Sequence, residues 1–261
     1  WPWGAFAPTR AGCGGVSRMW VIDCSNYLYQ RVAANEWAAR QVLSEPTRGP
    51  RGPLRNLWWR LTGGPRRARA ERLAQSAAAQ REAEIYRRGL QGEEALIWFL
   101  APRLDNRYLL LRNYTPPPPW RTGGDIDGVL LGPNGVTVFE VKAWRGIYRA
   151  EGEDWLFLPR DRSAWEPARK NPTQQARFSV ERVHGTLALA GLGDVPVQPV
   201  IVAAEPRMRV EIIGSPAVAI YQPFKDPDWL DLSPHGKTYS YDELDRLYKA
   251  LTAQQPARHS R

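Results

Sequence analysis

The chain has 261 residues, of which 43% are hydrophobic and 24% charged, a composition typical of a folded protein with a real core. No apolar run approaches the ~20 residues of a membrane span, and residues 1–25 lack the pattern of a secretory signal. Only Cys13 and Cys24 are present, which excludes a disulfide framework or a cysteine metal cluster. We therefore expect a reducing compartment, the cytoplasm.

The net charge of +9 is concentrated in the N-terminal third. Residues 1–88 contain 15 arginines, no lysine and 6 acidic residues, whereas residues 89–261 contain 21 basic and 21 acidic residues. Such asymmetry favours a polyanionic partner, either nucleic acid or, less well, an anionic membrane surface. Arginine outnumbers lysine 31 to 5 in the whole chain, so a merely solvated basic face is the alternative.

Residues 1–53 are predicted to form an N-terminal extension with one helix. Trp1–Ser17 has no periodicity and is expected to be poorly ordered. Tyr27–Ser44 predicts a helix, which Glu45-Pro46 ends. The following Pro46–Pro53 is rich in Gly, Pro and Arg and predicts a linker.

Residues 54–88 are predicted to form a basic helical segment. Leu54–Leu61 places Trp58 and Trp59 among arginines. Either these rings stack on bases while the arginines hold phosphates, or a short helix packs its tryptophans on the domain. Arg66–Arg88 predicts a long helix with a basic exposed face. We expect residues 48–88 to contact a nucleic-acid backbone.

Gly89 and Gly92 are expected to break or bend that helix, which resumes over Gly92–Ala101 with Leu96 in its core stripe. Glu93 lies three residues before Leu96 and so shares the inward face. An acid on that face is unusual unless it has a function. The alternative is an N-terminal acid favoured by the helix dipole.

A β-hairpin is the clearest element of the chain. Tyr108–Asn113 predicts a first strand, and the four prolines of Thr115–Trp120 exclude that stretch from a sheet interior. Two apolar runs, Ile126–Leu131 and Val136–Val141, then flank the turn sequence Gly132–Gly135. Both faces of this hairpin are apolar, as in a covered central sheet.

Three charged residues lie within this apolar hairpin: Asp127, Glu140 and Lys142. Glu140 and Lys142 are two residues apart and point the same way. A four-residue turn, or a two-residue turn at Pro133-Asn134, places Asp127 opposite Glu140, whereas a turn at Asn134-Gly135 places it opposite Lys142. All three registers put the charges on one face, and only a three-residue loop would separate them.

Two opposed carboxylates destabilise a strand pair, and a buried unpaired charge is costly. A bound divalent cation, Mg²⁺ or Mn²⁺, resolves this conflict, since Mg²⁺ takes one or two carboxylates together with waters and phosphate oxygens. A neighbouring lysine then activates water or stabilises charge on a phosphate. The alternative is an ordinary ion pair between Glu140 and Lys142, with Asp127 at the rim.

The C-terminal half alternates strands and helices, which predicts the parallel end of a mixed sheet. Asn171-Pro172 predicts a helix start, with Asn as N-cap and Pro at the first position. The other predicted elements are a strand pair in Gly146–Phe157, a loop at Asp161–Lys170, strands at Val197–Ala204, Val210–Ile213 and Val218–Tyr221, and a closing helix at Tyr241–Leu251.

The pattern of Asp127 followed by Glu-x-Lys resembles the PD-(D/E)XK nuclease superfamily, and the finer motifs resemble its nuclease-related domain branch, NERD. The matching pieces occur in the family's order at Gly89–Glu93, Asp125–Val136, Phe139–Gly146 and Asn171–Ala176. One departure is that no proline precedes Asp127.

The resemblance implies an α/β fold with a mixed central sheet flanked by helices, as in restriction endonucleases. It implies a Mg²⁺-dependent nuclease, with DNA the expected substrate, and a domain at residues 89–205 on which residues 206–261 pack. Asp127, Glu140 and the Val141 carbonyl would hold the metal, and Lys142 would activate water. The remaining implied site residues are Glu93, which would support the metal through water, and Gln175, which would orient the phosphate or a water.

Two rival interpretations remain open. The first is a nucleic-acid-binding module that keeps the nuclease fold and does not hydrolyse its ligand. The second is a membrane-surface protein that uses the segment of tryptophans and arginines.

Overall fold

The computed structural model describes residues 9–10, 19–44, 51–161, 164–226 and 237–253. The strands are β1 Thr9–Arg10, β2 Trp20–Asp23, β3 Leu109–Tyr114, β4 Ile126–Gly132, β5 Gly135–Lys142, β6 Gly146–Glu151, β7 Asp154–Leu158, β8 Glu166–Pro167, β9 Val197–Ala203, β10 Met208–Ile213 and β11 Ala219–Tyr221. The helices are α1 Tyr27–Ser44, α2 Pro53–Leu61, α3 Gly64–Leu100, α4 Pro172–Leu189 and α5 Tyr241–Thr252.

The larger of the two sheets has the strand order β1-β2-β3-β4-β5-β9-β11. Strands β3, β4 and β5 are joined antiparallel, whereas β2 runs parallel to β3, β9 runs parallel to β5, and β11 runs parallel to β9. Helices pack on both faces of this sheet. The predicted α/β class, with a mixed central sheet flanked by helices, is therefore confirmed.

Alternation along β5 supplies side chains to a separate core on each face of the central sheet. Phe139 points to the face covered by α3, where it joins Leu96 in one buried cluster. Val138 points to the opposite face, where Val183 of α4 and Leu247 of α5 cover it. The helix that carries Glu93 and the helix that carries Gln175 therefore lie on opposite faces.

The predicted hairpin is formed by β4 and β5, and its register is now fixed. Gly132 pairs with Gly135, so the turn consists of the two residues Pro133-Asn134. Gly135 has a φ of 102°, a conformation that only glycine adopts without strain. This is one of the registers that place Asp127 opposite Glu140.

A second, smaller sheet follows the hairpin, with the order β10-β6-β7-β8. β6 and β7 are the predicted strand pair, while β10 returns from later in the chain to run parallel to β6. Trp155, Ala176 and Ile201 belong to the buried cluster beneath this sheet. The Trp155 Nε1 donates to Thr173 Oγ1 at 2.9 Å, which fixes the first turn of α4 against β7.

The predicted helix starts are confirmed. The side chain of Asn171 accepts a hydrogen bond from Gln174 N at 3.1 Å, with Pro172 at the first helical position. Ser240 and Glu243 form a reciprocal capping box at the start of α5.

Two predictions in the N-terminal half are wrong. Of the break or bend expected at Gly89 and Gly92, the break is wrong, because α3 continues from Gly64 to Leu100. A glycine inside a helix costs only about 1 kcal/mol, an amount that packing can offset. Tyr108–Asn113 is also not the first strand, because β1 and β2 precede β3, and β2 pairs with β3 along its length.

The chain forms two compact units, one of residues 1–25 and 91–261 and the other of residues 26–90. Within the second unit, Arg31 pairs with Glu82 at 3.0 Å and Arg87 pairs with Glu36. In addition, Ser76 Oγ donates to the Ala39 carbonyl at 3.2 Å. These contacts join α1 to the first part of α3.

Some sequence predictions fall on residues outside the described ranges. They are most of Trp1–Ser17, apart from the two residues of β1, and residues 46–50 of the predicted linker. In the described part of the chain, no helix has both the length and the apolarity that crossing a membrane requires.

Candidate active site

The three charged residues of the hairpin lie near one another at its open end, where the charges of Glu140 and Lys142 both act on the Asp127 carboxyl. The pair Gly128 and Phe139 is the last before the strands separate, so the next step of the register sets Asp127 opposite Glu140. Lys142 Nζ forms an ion pair with Glu140 Oε1. The side chains of Glu140 and Lys142 share the face of Val138, on which α4 packs.

Burial makes these charges costly and their pairing necessary. Glu140 and Lys142 are both buried, and Asp127 is partly buried. Asp127 Oδ2 accepts a hydrogen bond from Val141 N at 2.6 Å, in place of a backbone bond between the strands. Lys142 Nζ also lies 5.8 Å from the centre of the Trp144 ring. The lysine therefore lies between one carboxylate and an aromatic ring.

The Asp127 carboxyl is poised to titrate near neutral pH. Burial and, to a lesser extent, the charge of Glu140 together raise its pKa to about 7, against the lowering effects of Lys142 and of the Val141 N–H. A carboxyl in this state ionises readily when a cation arrives, because the cation replaces the missing positive charge.

Glu93 is a third carboxyl that interacts with this group, and it is supplied by α3. Burial and, to a lesser extent, the charge of Asp127 together raise its pKa to about 8, against the lowering effects of Asn113 and Arg112. Its Oε2 accepts no hydrogen bond within the described residues. The nearest charged partner of that oxygen is Arg112 Nη2, at 3.6 Å.

Gly92 explains how Glu93 reaches the site. A Cβ at position 92 would lie 3.0 Å from the Ala143 Cβ and 3.2 Å from Val141 Cγ1. The absent side chain therefore lets this turn of α3 approach the end of β5 closely. The sequence suggested a helix break at Gly92, but in the structure helix α3 and strand β5 come into close contact there.

Two residues of the site are absent from the sequence predictions, Arg112 and Asn113, both buried in β3. Asn113 has a φ of 48° and lies opposite Asp127, between the pairs Arg112–Gly128 and Tyr114–Ile126. Its side chain hydrogen-bonds Glu93. The available signal was an Arg-Asn pair inside an otherwise apolar buried strand.

Arg112 connects the site to the N-terminal strand. Its Nη1 lies 3.0 Å from Asp23 Oδ1 of β2, while its Nη2 faces Glu93. One buried guanidinium thus bridges two acidic side chains, and it offsets part of their negative charge.

Gln175 lies in the first turn of α4, on the same side of the sheet as the hairpin charges. Its Oε1 is buried and accepts no hydrogen bond in the described part of the chain. No hydrogen bond among the described residues joins Gln175 to Asp127, Glu140 or Lys142. The helix brings Gln175 to the correct face of the sheet, and its contact with the hairpin charges stays a prediction.

The carboxylate oxygens of this site suit a hard cation whose remaining ligands come from water and substrate. Across the described ranges, no group of three or more His, Cys, Asp or Glu residues forms a ready metal cluster. Two opposed carboxylates are nevertheless what Mg²⁺ takes when water and substrate oxygens complete its shell. The raised pKa of Asp127 and the unsatisfied oxygen of Glu93 both fit a site that lacks positive charge.

One of three comparisons with known proteins finds a match. No curated protein and no solved structure matches the chain. Residues 88–204 match the family model of the nuclease-related domain, a range that contains Glu93, the whole hairpin and the start of α4. This part of the chain is therefore similar to the nuclease-related domain, NERD, which is consistent with the PD-(D/E)XK nuclease superfamily.

Proposed function

We propose that the protein hydrolyses phosphodiester bonds of nucleic acid, with DNA as the first substrate to test, and that it requires Mg²⁺ or Mn²⁺. The observation that carries the proposal is the group of Asp127, Glu140 and Lys142 at the open end of the hairpin, in which Glu140 and Lys142 are buried and both act on the Asp127 carboxyl. A purely structural ion pair would not need a second carboxylate opposite it, because that carboxylate only adds repulsion.

The metal would be held by Asp127, Glu140 and the backbone carbonyl of Val141. The N–H and C=O groups of a strand residue point toward the same neighbouring strand. The bond from Val141 N to Asp127 therefore supports a carbonyl directed to the same side. When bound, such an ion polarises a phosphate oxygen and lowers the pKa of a coordinated water.

Lys142 is the residue that distinguishes catalysis from binding. Glu140 holds its ammonium beside the carboxylates, where a scissile phosphate would lie. There it would position the attacking water or stabilise the charge that develops on the phosphate. Glu93 would keep a proton or a water next to Asp127, and Gln175 would orient the phosphate from the first turn of α4.

The basic segment of residues 48–88 would hold the nucleic-acid backbone without reading sequence. Within it, the first turns of α3 expose Arg66, Arg67 and Arg69, with no acidic residue between them. We assign the backbone contacts to these three arginines. A cytoplasmic location stays a prediction, as does the preference for DNA.

Single-turnover cleavage of labelled DNA, measured beside equilibrium binding at fixed salt and Mg²⁺, tests the proposal. We expect wild type to cleave, and Lys142→Ala to lose about 10²–10³ in rate while binding almost normally. Lys142→Arg should also cleave poorly, since the planar guanidinium group of arginine does not replace the compact ammonium group of lysine. The exposed Lys170 provides the matched control, as Lys170→Ala should cleave like wild type.

The alternative is a binding module that keeps the fold without hydrolysis. The observation in its favour is the Lys142–Glu140 ion pair, which satisfies both charges without any metal. Nucleic-acid binding by wild type without cleavage under Mg²⁺ and Mn²⁺ would establish this alternative. Equal cleavage rates for wild type and Lys142→Ala would instead refute the role of Lys142.

A further inference from the structure

Helix α2 exposes an apolar stripe that the nuclease site does not use. Leu54, Leu57, Trp58 and Leu61 have the spacing i, i+3, i+4 and i+7, so they share one face of the helix. All four side chains are between 56% and 80% exposed. An amphipathic helix usually buries such a face, because each exposed leucine or tryptophan leaves apolar surface in water.

The opposite face of α2 is the one that packs. Asn56 and Trp59 are partly buried, and a Cβ at Gly64 would lie 2.2 Å from the Trp59 ring. The tryptophan ring therefore rests directly on the start of α3. Trp58 belongs to the exposed stripe and takes no part in this packing.

Arginines border the exposed stripe on both sides. At 100° per residue, Arg55 lies about 60° beyond Trp58, and Arg60 lies about 60° beyond Leu57 on the other side. Both are exposed, as is Arg51 just before the helix. Residues 51–70 contain six arginines and no acidic residue. The helix thus combines an apolar stripe with cationic margins.

We propose that α2 docks in the plane of an anionic membrane surface, with the leucines and Trp58 at the acyl boundary and the arginines on lipid phosphates. Only this ligand uses both halves of the pattern. A nucleic-acid backbone would engage Arg55 and Arg60 but leave three leucines in water. A second copy of the same face would bring like charges together.

The dimensions of α2 agree with surface docking. Nine residues extend about 13 Å, less than half of the ~30 Å hydrocarbon core, so the helix lies on the membrane rather than across it. Long arginine side chains reach phosphates while their stems lie along apolar surface. The attachment should be reversible, since a single short helix is a modest anchor.

Co-sedimentation of the full chain with vesicles tests the proposal. We expect binding to phosphatidylcholine vesicles that contain phosphatidylglycerol and much weaker binding to phosphatidylcholine alone. The double variant Leu57→Ser/Leu61→Ser should lose about tenfold or more in affinity per leucine. Arg55→Gln/Arg60→Gln should lose about fivefold per arginine on the anionic vesicles and change little on neutral ones.

The matched control is Leu73→Ser/Ile85→Ser, which removes two exposed apolar side chains from α3 in the same unit. It should bind vesicles like wild type. All substituted positions are exposed, and circular dichroism should show unchanged helix content.

Several outcomes would overturn the proposal. They are the absence of binding to anionic vesicles, equal binding by wild type and the double leucine variant, and equal loss in the control. If the leucine variant instead loses affinity for a labelled oligonucleotide, α2 is a nucleic-acid surface. If the leucine variant changes from dimer to monomer by light scattering, α2 is a contact between copies of this chain. Lys142→Ala should bind anionic vesicles like wild type, which separates this proposal from the nuclease function.

Discussion

At the residue scale, the carboxyls of Glu93 and Asp127 give the stability of the metal-free protein a characteristic pH dependence. Their pKa values are raised to about 8 and about 7, from ordinary values of 4.5 and 3.8 in the unfolded chain. Between pH 5 and 7 the folded protein therefore binds more protons than the unfolded chain, so the free energy of unfolding falls as pH rises. The slope is at most about 1.4 kcal/mol per pH unit for each carboxyl.

Denaturant unfolding at pH 5, 6, 7 and 8 without metal measures this slope, and Glu93→Gln should flatten it. Glu243 offers a control of opposite sign, because hydrogen bonds from Lys237 and Ser240 lower its pKa to about 2. The stabilisation from Glu243 is lost only below its ordinary pKa, so Glu243→Gln should leave the slope between pH 5 and 8 unchanged. An unaltered slope in Glu93→Gln would contradict the assignment.

The opposed carboxylates lead to a second prediction at the residue scale. Asp127→Asn and Glu140→Gln should weaken Mg²⁺ binding, because each removes one anionic ligand. For Asp127→Asn the free energy of unfolding without metal should hold or rise, since the repulsion between the two carboxylates is relieved. For Glu140→Gln it should fall, because the buried Lys142 loses its charged partner. Mg²⁺ affinity of wild type should also increase from pH 6 to 8, as Asp127 must release its proton.

Isothermal titration calorimetry with Mg²⁺ and Mn²⁺ measures these affinities. Glu151→Gln, at an exposed strand end, is the control and should bind metal like wild type. Wild-type affinity in both site variants would remove Asp127 and Glu140 from the metal site.

At the scale of elements, two glycines of one helix provide a paired test of the contact between α3 and β5. In an open helix position, Gly→Ala stabilises by about 1 kcal/mol. At Gly89 the added Cβ would meet only Leu28 Cδ1 at 3.5 Å, an ordinary contact. Gly89→Ala should therefore raise the free energy of unfolding by up to that amount.

Gly92→Ala should have the opposite effect, because its Cβ would lie 3.0 Å from the Cβ of Ala143, which cannot rotate away. The helix must then move away from β5, and Glu93 moves with it. We expect lower stability by urea unfolding and slower cleavage. Equal stabilisation by both substitutions would show that the contact is not tight.

At the scale of the whole molecule, the charge follows the division into two units. The unit of residues 26–90 contains 13 arginines, no lysine and five acidic residues, so it carries nearly all of the net charge of +9. A truncation from the N-terminus that removes this unit would also delete strand β2 of the central sheet, whose Val21 is buried in the core. Substitution is therefore a cleaner test than truncation.

Changing Arg66, Arg67 and Arg69 together to Gln should weaken nucleic-acid binding uniformly across sequences. Each lost phosphate contact should reduce the slope of log K against log salt by about 0.9 on duplex DNA. Fluorescence anisotropy over a salt series measures the slope. Arg103, Arg209 and Arg246, which are exposed in the other unit, supply the control triple, and equal slopes for both triples would make the basic segment a solvated face.

Interactions between residues close together in the sequence determined several elements of this structure. The Pro-Asn turn between two glycines specifies the hairpin, and alternation along its second strand then places Glu140 and Lys142 on one face. Asn171 and Ser240 mark their helix starts because a side-chain cap acts within three residues. These features were predictable since each depends on neighbours in the sequence. The predicted division at residues 53, 88 and 205 stays a prediction.

The tertiary structure decided whatever depends on partners far apart in the chain. Strand β2 pairs with β3 across more than 80 residues, and this pairing brings Asp23 to Arg112 and so to Glu93. α3 continues through Gly92 because packing against β5 offsets the weak helix preference of glycine. The role of the polar residues Arg112 and Asn113 is visible only in the folded chain, where both interact with Glu93. Sequence alone identified the charges of the hairpin, and folding supplied the helix and the strand that complete their surroundings.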